Sequence, residues 1–478
     1  MRILLIKPYQ TVGTWMAAPQ LGLLYLTSSL RERFGSDVDV RILDMKVNKQ
    51  EPDVLPAVLD EYRPDLVGVS AMNCEGTATR KIARIVKAHD AGIVTALGGP
   101  FAHKRGEELL RETEYDWTFD GPAERTFAEA IARRFQGDGD LGTDIAGLSY
   151  KRADGELQLS TGQDVVMDLD SIPGPAWDLV DFDLYAGKSN MMGTLKGKRY
   201  ANLFTSRGCP YLCHYCHDLF TKKFVHRSAE HVLAEIELLY ETYGVDEFHI
   251  VDDIFNLHKP RLRQIMGEVK RRWPGKLKFA FPNGVRGDIL GEAELDALAE
   301  AGTYAMSIAI ETVTPRLQEL IEKNLKFEKA ENAIRWADER GILTAGFFML
   351  GFPTETEEEL NATVDFALRS KLTMAYFFHV VPQPTTPLYD LAHKEAPEAL
   401  AASIKDEELS GGGYRGGFQT FYERAYGFPL TDFIDDAARR FYLRPARALK
   451  IARRYPAKSW PLAAARLWKN VIRGDGSV

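Results

Sequence analysis

The sequence contains no apolar run approaching the roughly 20 residues that a transmembrane helix needs. Hydrophobic residues make up 45% and charged residues 27% of the 478 residues, which is ordinary for a globular protein. The N-terminal segment carries a charge at Arg2 and is interrupted by Pro8, so it is too short for a secretory signal. We therefore expect a cytoplasmic protein, long enough for two or three domains.

Cysteine is scarce as well. Four cysteines cannot form a disulfide framework in a chain of this length. Three of them, Cys209, Cys213 and Cys216, lie close together, whereas Cys74 is alone. This clustering favours a metal site in a reducing compartment.

Acidic residues are absent between Asp436 and Asp475, although the formal net charge of the chain is -8. The overall negative charge argues against nucleic-acid binding by the whole molecule. The C-terminal segment has two interpretations, a surface for peripheral contact with anionic lipid or a solvated helical cap. Its basic residues are Arg439, Arg440, Arg444, Arg447, Lys450, Arg453, Arg454, Lys458, Arg466, Lys469 and Arg473.

Short β-branched or leucine-rich segments alternate with helix-like segments in residues 1–135. The alternation predicts an α/β domain, with a doubly wound, Rossmann-like parallel sheet whose ligands bind beyond the carboxyl ends of the strands. The predicted strands are 3–6, 38–43, 66–70 and 93–97, and helices are predicted at 20–33 and 77–89. Residues 136–195 are a predicted connector, with a hairpin that turns at Asp154-Gly155.

A second alternating series predicts a partial barrel of βα units in residues 196–390, with its chemistry at the carboxyl ends of the strands. Residues 391–478 are predicted to be helical. The six predicted strands of the barrel are 203–206, 247–251, 277–281, 305–310, 344–350 and 374–380.

The three clustered cysteines follow the first strand of this series, in the segment TSRGCPYLCHYCHD. Three thiolates on one loop can bind three irons of a cubane cluster and leave the fourth iron open to substrate. The alternative is a structural zinc site, which needs His214, His217 or the distant Cys74 as a fourth ligand.

The C-x3-C-x2-C spacing, with Tyr215 before the last cysteine, resembles the signature of the radical S-adenosylmethionine superfamily. The resemblance implies that Cys209, Cys213 and Cys216 bind a four-iron four-sulfur cluster. The open iron then chelates S-adenosylmethionine, whose reductive cleavage gives a 5′-deoxyadenosyl radical. It also implies an electron donor such as flavodoxin or ferredoxin.

Five further positions match cofactor contacts of that family. Asp252 and Asp253 lie where relatives bind the methionyl amino group, although a helix cap is the alternative. The resemblance implies that Arg286 pairs with the methionyl carboxylate and that Glu311 contacts the ribose hydroxyls, unless either forms a structural ion pair. Gly351, in the segment GFPTE, matches a turn that packs near adenine.

The order of domains resembles the cobalamin-binding class of radical S-adenosylmethionine enzymes. In the N-terminal sheet, the resemblance rests on Ser70, Gly98 and Gly99, which lie at strand ends near the corrin tail in relatives. Gln10 occupies the position of the histidine that ligates cobalt in D-x-H-x-x-G domains. We therefore expect cobalamin without a histidine lower ligand, or a sheet that has lost the cofactor.

The resemblance implies a methyltransferase that acts on an unactivated carbon and uses S-adenosylmethionine twice, as methyl source and as radical source. A cyclase, a ring-modifying enzyme or a coupling enzyme on the same scaffold is one alternative. An iron-sulfur or zinc binding or sensor protein is another. We expect a small-molecule or lipid-like substrate. Its identity stays open, since the aromatic segment 376–379 on the last strand could face either the substrate or the core.

Overall fold

The computed structural model describes residues 1–11, 17–186, 188, 192–193, 195–410, 417–455 and 460. The chain forms two compact units. The first comprises residues 1–184 and 219–221, and the second comprises 185–218 and 222–478. Residues of the predicted connector up to 184 thus belong to the first unit.

The first unit is a seven-stranded sheet in the order β2-β1-β3-β4-β5-β6-β7. Its first five strands are parallel, and β6 and β7 join antiparallel. The strands are β1 Arg2–Lys7, β2 Asp39–Asp44, β3 Leu66–Ser70, β4 Val94–Gly98, β5 Trp117–Phe119, β6 Leu148–Lys151 and β7 Leu157–Gln158. The helices are α1 Leu21–Phe34, α2 Met45–Asn48, α3 Leu55–Tyr62, α4 Gly76–His89, α5 Gly106–Glu112 and α6 Glu124–Gln136.

Strand β1 shows why this sheet is covered on both faces. Its residues Ile3 and Leu5 are buried in one apolar cluster with residues of α1 and α6. The alternate residues Leu4 and Ile6 are buried in a second cluster with residues of α3 and α4. A parallel strand buried on both sides needs such a continuous apolar run, so the doubly wound sheet predicted from the sequence is confirmed.

The second unit is built on a six-stranded parallel sheet in the order β15-β14-β13-β12-β11-β8. This is the predicted partial barrel. Its strands are β8 Tyr200–Leu203, β11 Glu247–Ile250, β12 Lys278–Val285, β13 Thr303–Glu311, β14 Leu343–Leu350 and β15 Met374–His379. The alternating helices are α7 Ala229–Tyr243, α8 Lys259–Arg272, α9 Glu292–Glu300, α10 Pro315–Leu320, α11 Phe327–Glu339 and α12 Glu357–Arg369.

A two-stranded antiparallel ribbon leaves the barrel after its first strand. It pairs β9 Ser206–Arg207 with β10 Val225–His226. The loop between the two strands carries all three clustered cysteines, so the ribbon fixes both ends of that loop to the barrel.

The C-terminal region is helical, as predicted. Its helices are α13 Pro387–Glu395, α14 Pro397–Ser410, α15 Phe421–Tyr426, α16 Leu430–Tyr442 and α17 Pro445–Arg454. Strand β15 lies at the edge of the sheet, where its outer backbone groups meet no further strand among the described residues. The hydroxyl of Tyr442 donates to the carbonyl of Ala375 at 2.8 Å and accepts from its amide at 3.2 Å. This side chain therefore satisfies part of the open edge.

Several basic residues of the tail bind the barrel, which matches the interpretation as a helical cap. The contacts are the ion pairs of Arg440 with Asp365 and of Lys450 and Arg454 with Asp338, and the hydrogen bonds from Arg444 and Arg447 to the carbonyl of Leu368. Lys458, Arg466, Lys469 and Arg473 lie outside the described residues. Among the described residues, no helix is long and apolar enough to span a bilayer.

Candidate active site at the strand ends

Backbone hydrogen bonds attach the cysteine loop to the barrel. The amide of Cys216 donates to the carbonyl of Cys213 at 3.0 Å, which folds the last two cysteines into one turn. Between them, the amide of His214 donates to the carbonyl of Ile321, and its Nδ1 lies 2.8 Å from the carbonyl of Leu320. His214 thus holds the loop in place, and its Nδ1 is occupied by the backbone carbonyl of Leu320.

The environment of the thiols fits a cluster of positive irons. Burial, assisted by the neighbouring Cys213 and Asp253, raises the pKa of Cys209 and raises that of Cys216 to about 12. Three adjacent thiolates are therefore unfavourable here unless cations compensate their charge. Among the described residues, no three His, Cys, Asp or Glu side chains are placed to share a single metal ion. A cubane cluster does not need three side chains to meet at one ion, because each thiolate binds a different iron.

Asp252 and Asp253 occupy different environments at the end of β11. The carboxylate of Asp252 is buried and accepts hydrogen bonds from the amide and hydroxyl of Thr205 and from the hydroxyl of Ser206, at 2.5 to 2.6 Å. Burial raises the pKa of Asp252 despite these bonds. Asp253 accepts from the amide of Gly208 at 3.0 Å and lies beside the cysteine loop. Asp252 thus anchors the strand end, and binding of the methionyl amino group stays a prediction for both.

Arg286 follows β12 and is fixed by several groups. Its guanidinium stacks over the ring of Tyr211, with 3.8 Å between the guanidinium carbon and the ring centroid. It also pairs with Asp288 at 2.9 Å and donates to the carbonyl of Lys323 at 2.9 Å. Since Tyr211 belongs to the cysteine loop, Arg286 positions that loop. Pairing with the methionyl carboxylate stays a prediction.

Glu311 ends β13 and forms a buried network with Tyr215 of the cysteine motif and with Lys323, which belongs to no motif. Its carboxylate lies 3.1 Å from the ammonium group of Lys323 and accepts from the hydroxyl of Tyr215 at 3.2 Å. Lys323 also donates to the Tyr215 hydroxyl at 3.1 Å. The positive φ of 67° at Glu311, a strained value for a glutamate, turns the chain where β13 loses its register with β14. Contact with the ribose stays a prediction.

Gly351 directly follows β14, in a position that only glycine fits. Its φ is 90°, and an added Cβ would lie 2.4 Å from the side chain of Leu430. The amides of Gly351 and Phe352 donate to one carboxylate oxygen of Glu355. The observed role of Gly351 is therefore close packing against α16, and proximity to adenine stays a prediction.

The N-terminal sheet brings Ser70, Gly98 and Gly99 together at its carboxyl edge. Ser70 pairs with Gly98 in the register of β3 and β4. An added Cβ at Gly99 would lie 2.8 Å from the carbonyl of Ala71, so the close approach of the two loops requires glycine there. At Gly98 an added Cβ would meet nothing closer than 4.0 Å. Their contacts with cobalamin stay predictions.

Gln10 lies in the loop after β1. Its side-chain oxygen accepts from the amide of Ala78 at 3.4 Å, in the first turn of α4. An amide at this position is a poor ligand for cobalt, so the observed role is to cap a helix. Val12 and Gly13 of the same loop lie outside the described residues.

A buried charge cluster at this edge was missed by the sequence analysis. Glu75 accepts from Lys7 at 2.5 Å and from Lys46 at 3.0 Å, and its carboxylate also binds the amide of Met72. Burial lowers the pKa of Lys7, which Glu75 partly offsets. The cluster joins the ends of β1, β2 and β3, and the spacing of these residues gives no local signal.

Comparison with protein families separates the same two parts of the chain. The radical SAM superfamily model matches residues 203–367, and the B12 binding domain model matches residues 16–131. An uncharacterised methyltransferase of Pyrococcus horikoshii is 30% identical over 401 residues, covering 82% of this chain and 83% of that protein. The chain belongs to the cobalamin-binding radical S-adenosylmethionine methylase family.

A second relative of this chain is the cytidylyl-2-hydroxyethylphosphonate methyltransferase of Streptomyces wedmorensis. It is 28% identical, with 76% of this chain and 75% of that protein covered. Among solved structures, the radical S-adenosylmethionine methyltransferase TsrM of Kitasatospora setae, with cobalamin and an iron-sulfur cluster bound, has a TM-score of 0.65. It is 23% identical, with 83% of this chain and 75% of that chain covered.

Membership confirms several predictions made from the sequence. The chain is an enzyme of the radical S-adenosylmethionine class, and its cofactors are the iron-sulfur cluster, S-adenosylmethionine and cobalamin. The likeness to TsrM confirms the predicted fold, with its parallel N-terminal sheet, barrel and helical C-terminal region.

Proposed function

We propose that this enzyme transfers a methyl group from S-adenosylmethionine to an unactivated carbon of a small molecule. The observation that carries the proposal is the loop of three cysteines that follows the first strand of a parallel barrel, in a chain that also has a B12-binding sheet. When bound, the cluster supplies the electron that cleaves S-adenosylmethionine into a radical, and cobalamin supplies a carrier for the methyl group.

Asp253 is our candidate for holding the methionyl ammonium group. Its carboxylate is next to the cysteine loop and receives one backbone hydrogen bond, whereas three donors already occupy Asp252. Asp253→Asn should weaken S-adenosylmethionine binding about tenfold or more, because a charged hydrogen bond contributes about 1.5–3 kcal/mol. The matched variant Asp252→Asn should instead lower stability. Equal affinity in Asp253→Asn and the wild type would rule out this role.

The proposal is tested by anaerobic reconstitution with cobalamin and a reductant, followed by mass analysis of the products of S-adenosylmethionine. Radical methyl transfer gives 5′-deoxyadenosine, methionine and S-adenosylhomocysteine. The Cys213→Ala variant is the control and should form no 5′-deoxyadenosine. Absence of 5′-deoxyadenosine from the fully loaded wild type would contradict the proposal.

A ring-forming reaction without methyl transfer is the second candidate. It is favoured by similarity to an anaerobic magnesium-protoporphyrin IX monomethyl ester cyclase of Rubrivivax gelatinosus, which is 24% identical with 98% of this chain covered. A cyclase would form 5′-deoxyadenosine without S-adenosylhomocysteine, so the same analysis separates the two functions.

Two partners complete the proposal. A flavodoxin or ferredoxin would deliver the electron in a reducing, cytoplasmic compartment, and rates of 5′-deoxyadenosine formation with each donor test this. Peripheral membrane contact through the basic C-terminus stays a prediction, although several basic side chains of α16 and α17 contact the barrel instead. Cosedimentation with anionic and neutral vesicles, at low and high salt, tests it.

A further inference from the structure

Three aromatic rings face the interior of the barrel on its last two strands. Phe347 of β14 lies opposite Tyr376 of β15 in the register, and Phe378 is two residues further along β15. The ring centroids of Phe347 and Phe378 are 5.4 Å apart, and those of Phe347 and Tyr376 are 6.0 Å apart. These spacings are typical of interacting aromatic rings. We call Phe347, Tyr376 and Phe378 the aromatic wall.

Neighbouring residues show which side of the sheet the wall occupies. Phe348 and Phe377 stack on each other at 5.4 Å, and Phe348 also contacts Phe366 of α12. These rings therefore belong to the layer between strands and helices. Because side chains alternate along a strand, Phe347, Tyr376 and Phe378 lie on the opposite face, inside the barrel.

Phe378 differs in its exposure from the core ring next to it on the same strand. Phe378 is 37% exposed, whereas Phe377 is 3% exposed. Small residues lie across from the wall: an added Cβ at Gly284 would lie 3.5 Å from the Phe347 ring and 3.7 Å from the Cβ of Ala309. Gly284 on β12 and Ala309 on β13 thus bring no bulky side chain against the Phe347 ring, near the carboxyl ends of the strands, where parallel barrels place their chemistry.

We propose that the aromatic wall binds the methyl acceptor and selects a planar, uncharged, aromatic or conjugated ring. The only ionisable side chains on β14 and β15 are those of Tyr376 and His379. The wall itself therefore provides stacking surface and no ion-pair partner. A flat ring can stack on Phe378 while Phe347 meets its edge, an arrangement that aromatic pairs favour. This inference names the substrate class of the proposed methyl transfer and rests on that function.

The test measures binding of two neutral probes, 2-naphthol and decahydro-2-naphthol, to the anaerobically reconstituted enzyme by equilibrium dialysis. The probes share a carbon skeleton, and only 2-naphthol is flat and aromatic. The saturated probe is the more apolar of the two, so a surface that binds through the hydrophobic effect alone would prefer it. We expect tighter binding of 2-naphthol, and about three- to tenfold weaker binding of it to Phe378→Leu, as the loss of one aromatic pair predicts.

Phe377→Leu is the matched control, because it removes a ring from the same strand on the helix-facing side. It should bind 2-naphthol as the wild type does, and circular dichroism checks that both variants are folded. Equal binding of the two probes, or an equal effect of the two variants, would overturn the proposal. Displacement of 2-naphthol by tetramethylammonium would overturn it as well, since that result would indicate a cation site.

Binding of these probes does not require cleavage of S-adenosylmethionine. If the aromatic wall does not bind the acceptor, the dialysis measurements show it. If the proposed methyl transfer is wrong, 5′-deoxyadenosine or S-adenosylhomocysteine is missing from the products. The two results are read from separate experiments on the same protein.

Discussion

The carboxylate of Glu311 and the ammonium group of Lys323 form a buried ion pair, 3.1 Å apart, beside the cysteine loop. The side chains of both residues are less than a tenth exposed. Removing one member of such a pair leaves an uncompensated charge in a region largely shielded from water. The pair therefore ties the conformation of the cysteine loop, through Tyr215, to the end of β13.

We expect Lys323→Met to lower the free energy of unfolding by about 3–5 kcal/mol, the usual cost of breaking a buried pair. Iron content after reconstitution should fall too, because Tyr215 loses a hydrogen-bond partner. Denaturant unfolding and iron analysis measure the two effects. The exposed Lys326 provides the control, and Lys326→Met should change stability by no more than about 0.5 kcal/mol. An unchanged midpoint in Lys323→Met would show that the pair contributes nothing.

Each cysteine of the loop should be needed for the cluster. Cys209→Ala, Cys213→Ala and Cys216→Ala remove the thiolate of a different iron, so each variant should lose its cluster and form no 5′-deoxyadenosine. Cys74→Ala, in the other unit, should load normally. Iron and sulfide analysis decides the outcome. A full cluster with full cleavage activity in any of the three variants would contradict the assignment.

Glu355 should make stability depend on pH. Burial raises the pKa of this carboxyl group to about 8, far above its value in an unfolded chain. The folded state then keeps a proton that the unfolded state loses, so the stabilising contribution is complete below the unfolded pKa and is lost as pH rises through about 8. Each pH unit in this window costs about 1.4 kcal/mol.

Glu355→Gln should abolish this dependence, since glutamine resembles the neutral acid and can still accept from the amides of Gly351 and Phe352. We expect the variant to lose less stability than the wild type between pH 5 and pH 8. Urea unfolding at several pH values measures the difference. Parallel curves for the two proteins would show that Glu355 titrates normally.

Cobalamin should bind without a histidine lower ligand, because Gln10 occupies the ligand position and caps α4. Electron paramagnetic resonance of the bound cob(II)alamin should show no nitrogen splitting from an axial histidine. His103, in the loop after β4, is hydrogen-bonded to Asp120 at 2.6 Å and supplies the control. His103→Ala should leave the spectrum unchanged, and a spectrum that it alters would identify His103 as the ligand.

Local signals account for the parts of the fold that could be predicted. Helix α7 shows such signals, because Ser228 caps its first turn and Gly244 ends it with a φ of 66°. The first barrel strand was predicted at 203–206, but β8 is Tyr200–Leu203. Thr205 and Ser206 leave the strand to bind Asp252, a contact between residues distant in sequence. The three-residue strand β5 was missed because it is too short for a pattern.

The residues of the candidate site also divide into those with a local sequence signal and those that only the fold brings together. The cysteines share one loop, so their spacing alone identified them. Lys323 and Tyr211 were missed, since their partners Glu311 and Arg286 lie on other segments and the folded barrel brings them together. Arg286 was found, but its contact with Tyr211 could not be read from its position after a strand.

The hydroxyl of Tyr442 that closes part of the edge of β15 has a consequence for how the protein is made. Synthesis proceeds from the N-terminus at about 5–20 residues per second, so the ribosome finishes β15 seconds before it supplies Tyr442. During that interval the nascent barrel exposes the hydrogen-bonding edge of β15 to other chains. Helix α16 therefore protects the edge of β15 against pairing with other chains. A protein truncated before α16 should aggregate and should not accumulate as a shortened enzyme.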